Sequence, residues 1–223
     1  MISPAMGAPS SVADNLGRQA ALLSIVATIY FLCAAVATHL VNPQYDVVRD
    51  YISDYAVGPN GWIYGSAFWA SCVGTLALSL AFVRLVPATA LSRVGLVLMI
   101  VVALAFPVEY FFPTDILPPG APPATTIGKI HLLAAMVGWI AFPVSAILLT
   151  LRFRRDPYWA RGFGPLFGLT LLSIALFAAL LVTVVAKAPF GGLVEKLLIL
   201  DRNAWALIAS VMVLKAGAPT QQG

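Results

Sequence analysis

The sequence predicts an all-α fold: a polytopic membrane bundle of six transmembrane helices, with a short amphipathic outer-face helix between helices 1 and 2. Three observations predict it. The 223 residues are 61% hydrophobic and 10% charged, against about 25% charged in a soluble domain. Six apolar runs are each long enough to span a bilayer, which takes ~20 residues. Lysine and arginine recur at alternate ends of those runs, the bias that orients membrane helices.

The elements follow in order. Residues 1–17 are small, polar and proline-containing and read as a disordered cytoplasmic tail. Arg18 precedes the first span, about 19–41. Ala35-Val36-Ala37 resembles a signal-peptide cleavage site. The apolar run before it is longer than a signal core and only one basic residue precedes it, which favours a retained helix. Asn42 to Trp62 is the one long segment dense in charge. Read as a helix, it puts Asp46, Arg49, Asp50, Ser53 and Asp54 on one face and Val47, Val48, Tyr51, Ile52 and Tyr55 on the other. Asn42 would cap it, Pro43 would take the first helical position, and Gly58-Pro59 would stop it.

The second span runs 62–83, closed by Arg84 and Pro87. The third runs 91–112, with Pro107 inside. The loop 113–125 is too rich in proline to be helical. The fourth span is 126–151, capped by Thr125 or Thr126. An arginine cluster, Arg152 to Arg161, follows. The fifth span is about 163–186 and the sixth 193–215, separated by a turn at 188–192. The membrane domain is thus 18–216, and 217–223 form a second disordered tail. No internal repeat is visible.

Arg18, Arg84, Arg93, the Arg152 to Arg161 cluster and Lys215 all fall on one side, which makes that side and both termini cytoplasmic. The protein is then expected to be multi-pass in the cytoplasmic membrane. The basic residues form no continuous soluble face, so nucleic acid is not an expected partner. Membrane lipids are the expected partners, and nothing identifies a protein partner. Cys33 and Cys72 both sit in apolar runs, which excludes a disulfide framework.

Orientation sorts the polar residues. Asp46, Arg49, Asp50, Asp54, Glu109, Asp115, Lys129, His131, Glu195, Lys196, Asp201 and Arg202 all belong to the outer half. A charge in low dielectric needs a partner, and Lys129, His131 and Arg202 are available to the carboxylates. The charged segment is therefore expected either to cover the outer mouth of the bundle and turn its charged face toward these groups, or to present that face to water while the polar pairs fix helix packing. The ligand-binding candidates are Tyr45, Asp46, Arg49, Asp50, Ser53, Asp54, Glu109, Asp115, His131, Lys196 and Arg202. Tyr45, Tyr51, Tyr55, Trp62, Tyr64 and Trp69 read as an aromatic belt at the outer interface, or as part of a headgroup pocket. Ser53, His131 and Asp115 have the residue types of a hydrolase triad, without diagnostic spacing. No metal-ligand or cofactor motif occurs, and neither is expected. The inner half has no ionisable relay, which disfavours a proton or ion pathway.

Several of these residues carry a resemblance. They are Asn42-Pro43-x-Tyr45-Asp46, Arg49-Asp50-x-Ile52-Ser53-Asp54, Phe112-Pro113-x-Asp115, His131, Gly192-Leu193-x-Glu195-Lys196, and Trp205. The chain resembles the prokaryotic six-helix membrane family called domain of unknown function 998, over nearly its whole length. The family usually has arginine where Lys196 stands, which keeps the charge and loses the fork geometry. Tyr51-Ile52-Ser53-Asp54 is also similar to a motif of eukaryotic six-helix proteins linked to lipid-anchor remodelling and autophagy. The resemblance implies a fold and a membrane location and assigns no activity. The polar cluster at the outer leaflet favours a lipid-related role, in headgroup binding, sensing or remodelling. A non-catalytic scaffold or partner subunit, and a membrane-embedded hydrolase, are the alternatives.

Overall fold

A computed structural model describes residues 11–86, 89–118, 120–154 and 158–216. Six long helices dominate: α1 Ser11–Val41, α2 Gly61–Leu85, α3 Ala90–Phe111, α4 Thr126–Phe153, α5 Phe163–Val185 and α6 Gly191–Ala216. All six are long and apolar enough to cross a membrane. The tail expected over 1–17 lies outside the described residues up to residue 10, and α1 begins at Ser11. The tail expected over 217–223 also lies outside them.

Local chemistry sets the helix ends. Thr125 Oγ1 accepts from the Gly128 amide at 2.9 Å and starts α4. Thr89 and Ser92 bond reciprocally and start α3. Lys187 takes a left-handed φ of 50° after α5. The Ala188 amide then reaches the Thr183 carbonyl and the Lys187 amide the Val184 carbonyl, a Schellman closure. Arg84, Arg152 and Lys215 occupy the last turns of α2, α4 and α6, where a cation complements the helix dipole.

The helices pack in chain order, and α6 closes the bundle against α1 and α2. Small residues allow close approach: Gly74 lies against Ala27, and the Ser145 hydroxyl donates to the Gly95 carbonyl at 2.7 Å. At the end away from residue 50, Phe82, Phe153 and Trp159 pack together, and the fully buried Trp205 sits against Phe82 and Phe142. α2 is the most buried span and α5 the least. Leu22, Val26 and Ile29 on α1, and Val182 and Val185 on α5, stay exposed, as hydrocarbon contact requires.

The segment from 42 to 60 corrects the expectation of an amphipathic α-helix. Its only helical element is a 3₁₀ turn, Ile52–Ala56, and the rest is turns. The aspartates themselves are the reason. Asp46 Oδ1 accepts from the Val48 and Arg49 amides at 2.8 and 2.9 Å, and Asp50 Oδ2 accepts from the Asp46 amide at 2.8 Å. These bonds compete with the helical ladder for the same donors. Asn42 does not start a helix either. Its Nδ2 donates to the Thr38 carbonyl at 2.9 Å, so it finishes α1.

Candidate functional site

The 42–60 segment lies across one end of the bundle and is tied to the start of α6. The Leu193 amide donates to the Val48 carbonyl at 2.9 Å. Lys196 Nζ donates to the Asp50 carbonyl at 2.6 Å, and the Ile52 amide donates to Glu195 Oε2 at 2.6 Å. Backbone meets backbone at this seam. A Cβ on Gly192 would overlap the Asp50 carbonyl, and one on Gly191 would crowd the Tyr51 hydroxyl. The Gly191-Gly192 pair therefore lets this lid seat.

Beneath the lid is a cavity of about 490 Å³. The lid contributes Tyr51, Ile52, Ser53 and Asp54. Tyr64 of α2, Glu109 of α3, His131 of α4, and Glu195 and Arg202 of α6 complete a polar pole. The remaining wall is apolar, chiefly Leu132, Met136 and Trp139 of α4 and Phe177, Leu180, Leu181 and Val184 of α5. The cavity is thus amphiphilic: its charged residues come from the lid, α3, the 113–125 loop and α6, and α5 contributes apolar side chains.

Each polar group has a physical setting. Arg202 is 8% exposed. Its Nη2 donates to Ser71 Oγ at 3.2 Å, and its guanidinium lies 4.5 Å from the Phe106 ring centroid, a cation–π contact. His131 answers a defect created by proline. The Glu109 carbonyl would normally accept from residue 113, but Pro113 has no amide hydrogen. His131 Nδ1 donates instead, to the Glu109 carbonyl at 3.1 Å and the Phe112 carbonyl at 3.0 Å. Nδ1 therefore carries the hydrogen, assigned from these two acceptors. Asp54 is 6% exposed and accepts from the Tyr51 amide at 3.1 Å. Burial pushes its carboxyl up to about 7.

The candidates divide into two groups. Ser53, Asp54, Glu109, Asp115, His131 and Arg202 line the cavity. Tyr45, Asp46, Arg49, Asp50 and Lys196 do not line it, and they build and hold the lid. Arg49 pairs with Asp50 at 2.9 Å. The Tyr45 ring packs on Tyr55 at 4.5 Å, and Lys196 Nζ stands 5.6 Å over Tyr55. The backbone amides of Arg49 and Val48 hold the Asp46 carboxyl below its ordinary range. Lys129, expected as a partner for the carboxylates, is exposed and outside the cavity lining, and its charge acts on Asp115.

Asp115 closes the proline-rich loop. Its carboxylate accepts from the Ala124 and Thr125 amides, each at 2.9 Å, and from Thr125 Oγ1 at 2.7 Å. The Thr125 bonds hold its carboxyl low. Gly128 permits the contact, since a Cβ there would strike the carboxylate. Asp115 therefore does not orient His131, whose Nδ1 is occupied by the two backbone carbonyls. The Ser53, His131, Asp115 set is not wired as a relay.

Tyr64, one of the tyrosines readable as part of a headgroup pocket, lines the cavity, and so does Glu195, which is absent from the ligand-binding candidates. The position of Glu195 beside Lys196, at the start of α6, is the signal that could have found it. The expected aromatic belt also splits. Trp62 and Trp69 are exposed, whereas Tyr55 and Tyr64 are buried. Among the described residues, no group of three or more His, Cys, Asp or Glu converges to hold a metal ion.

The family model for Protein of unknown function (DUF998) matches residues 25–212 of the chain. No curated protein and no solved structure matches it.

Proposed function

The chain belongs to the DUF998 family, and we propose that it binds a membrane lipid, with the headgroup under the 42–60 lid and the hydrocarbon along α4 and α5. The carrying observation is the amphiphilic cavity: Glu109, His131, Glu195 and Arg202 at one pole, and Leu132, Trp139, Phe177 and Leu181 along the other wall. Pockets for small ligands are mostly apolar with a few converging polar groups, and 490 Å³ falls within their usual range. The run of basic residues at the opposite ends of the helices supports a cytoplasmic-membrane protein with both termini inside and the lid outside.

Filling the cavity tests this reading. Ala135 lines it, so Ala135→Trp occupies its volume. Native mass spectrometry of the wild type is expected to show a retained lipid that survives detergent exchange, and the variant is expected to lose it while melting cooperatively. Equal lipid retention by both proteins contradicts the proposal.

A further inference from the structure

Arg202 and Glu109 line the same cavity from α6 and α3. No hydrogen bond or ion pair within 4.0 Å joins them, so Arg202 and Glu109 face one space without meeting. Opposite charges attract strongly in a weakly polar interior, and a bidentate guanidinium–carboxylate contact is among the strongest available. Instead, the guanidinium is held back by Ser71 and by the Phe106 ring. A gap kept between opposite charges suits a guest that carries both signs.

Resting on the lipid-binding reading above, we propose that the headgroup is zwitterionic, a phosphodiester joined to an ammonium, as in a phosphoethanolamine lipid. The phosphate faces Arg202. The ammonium lies toward Glu109 and Glu195, whose Oε2 already accepts from Ile52 and whose Oε1 remains for the guest. Four acidic side chains, Asp54, Glu109, Asp115 and Glu195, line the cavity against the one guanidinium of Arg202, an imbalance that disfavours a purely anionic headgroup. A purely cationic headgroup leaves Arg202 unanswered, and a buried unpaired charge is costly.

The test is a melting series of the full chain in detergent. The added probes are phosphatidylethanolamine, phosphatidylglycerol of the same acyl chains, and free phosphoethanolamine. Phosphatidylethanolamine is expected to raise the melting temperature more than phosphatidylglycerol, and free phosphoethanolamine to leave it unchanged. Glu109→Gln, checked first for an unaltered melt without lipid, is expected to cut the phosphatidylethanolamine shift and enlarge the phosphatidylglycerol shift. Equal shifts for both lipids on the wild type overturn the zwitterionic assignment and leave lipid binding standing. So does an unchanged preference in Glu109→Gln. If that variant melts differently without lipid, Glu195→Gln and copurified-lipid composition supply the same readout. A shift with free phosphoethanolamine equal to that with the lipid assigns the site to a soluble zwitterion and overturns the lipid assignment. No shift with any probe overturns both readings.

Discussion

At the scale of the residue, His131 shows how one side chain can repair a backbone and furnish a cavity. Its Nδ1 serves the Glu109 and Phe112 carbonyls that Pro113 and the end of α3 leave without donors. Asparagine can place an amide donor near the Nδ1 position, whereas glutamine places its amide near Nε2. His131→Asn is therefore expected to keep most of the stability, and His131→Gln to lose about 1–3 kcal/mol, the cost of buried acceptors left unmatched. Denaturant or thermal unfolding of the two variants in detergent measures this. Equal losses would mean that the two carbonyls are not what His131 stabilises. The residue type was legible in the sequence, but its role was not, because the role depends on a carbonyl 22 positions earlier.

At the scale of the element, the lid is where reading the sequence and folding the chain part company. A period of 3.6 fits residues 46–55 well, yet short acidic side chains there capture the backbone amides that a helix needs. The pattern could not reveal that competition, nor that Glu195 and Lys196, adjacent on α6, would both be taken up by lid backbone. The lid also carries a proton-sensitive group. Asp54 faces Asp50, Glu195 and Lys196, with Tyr45, Tyr51 and Tyr55 around it. Burial raises its carboxyl from the ordinary 3.8 to about 7, so the seated lid binds the proton more tightly than an open one. The Asp54 contribution to closure is then greatest below pH 3.8, declines as pH rises to about 7, and is level above that. Hydrogen exchange of the Ile52–Ala56 amides, corrected for intrinsic rates, is expected to lose protection from pH 5 to pH 7. Asp54→Asn keeps an acceptor for the Tyr51 amide and is expected to flatten that dependence. A slope unchanged in the variant would assign the titration to another group.

At the scale of the whole molecule, the six spans were readable because bilayer thickness demands long apolar helices, and the structure has six of them. The cavity was only half readable. Composition placed the ionisable groups at one end, but which helix faces turn inward is decided by packing between distant segments. The proposed orientation, lid outside and termini inside, is open to direct labelling. Val47→Cys, at an exposed lid position, is expected to react with a membrane-impermeant maleimide on intact cells. Labelling only after permeabilisation would reverse the orientation.

The central claim is that hydrocarbon lies inside the bundle, between α4 and α5, beneath a polar pole. Photocrosslinking with a lipid bearing a reactive group in its acyl chain, followed by peptide mapping, addresses it most directly. The expected result is labelling at Trp139, Phe177 or Leu180, which line the cavity, competed away by unlabelled lipid. Labelling confined to outward residues such as Leu133 and Val185, 65% and 86% exposed, and unaffected by competitor, would contradict it.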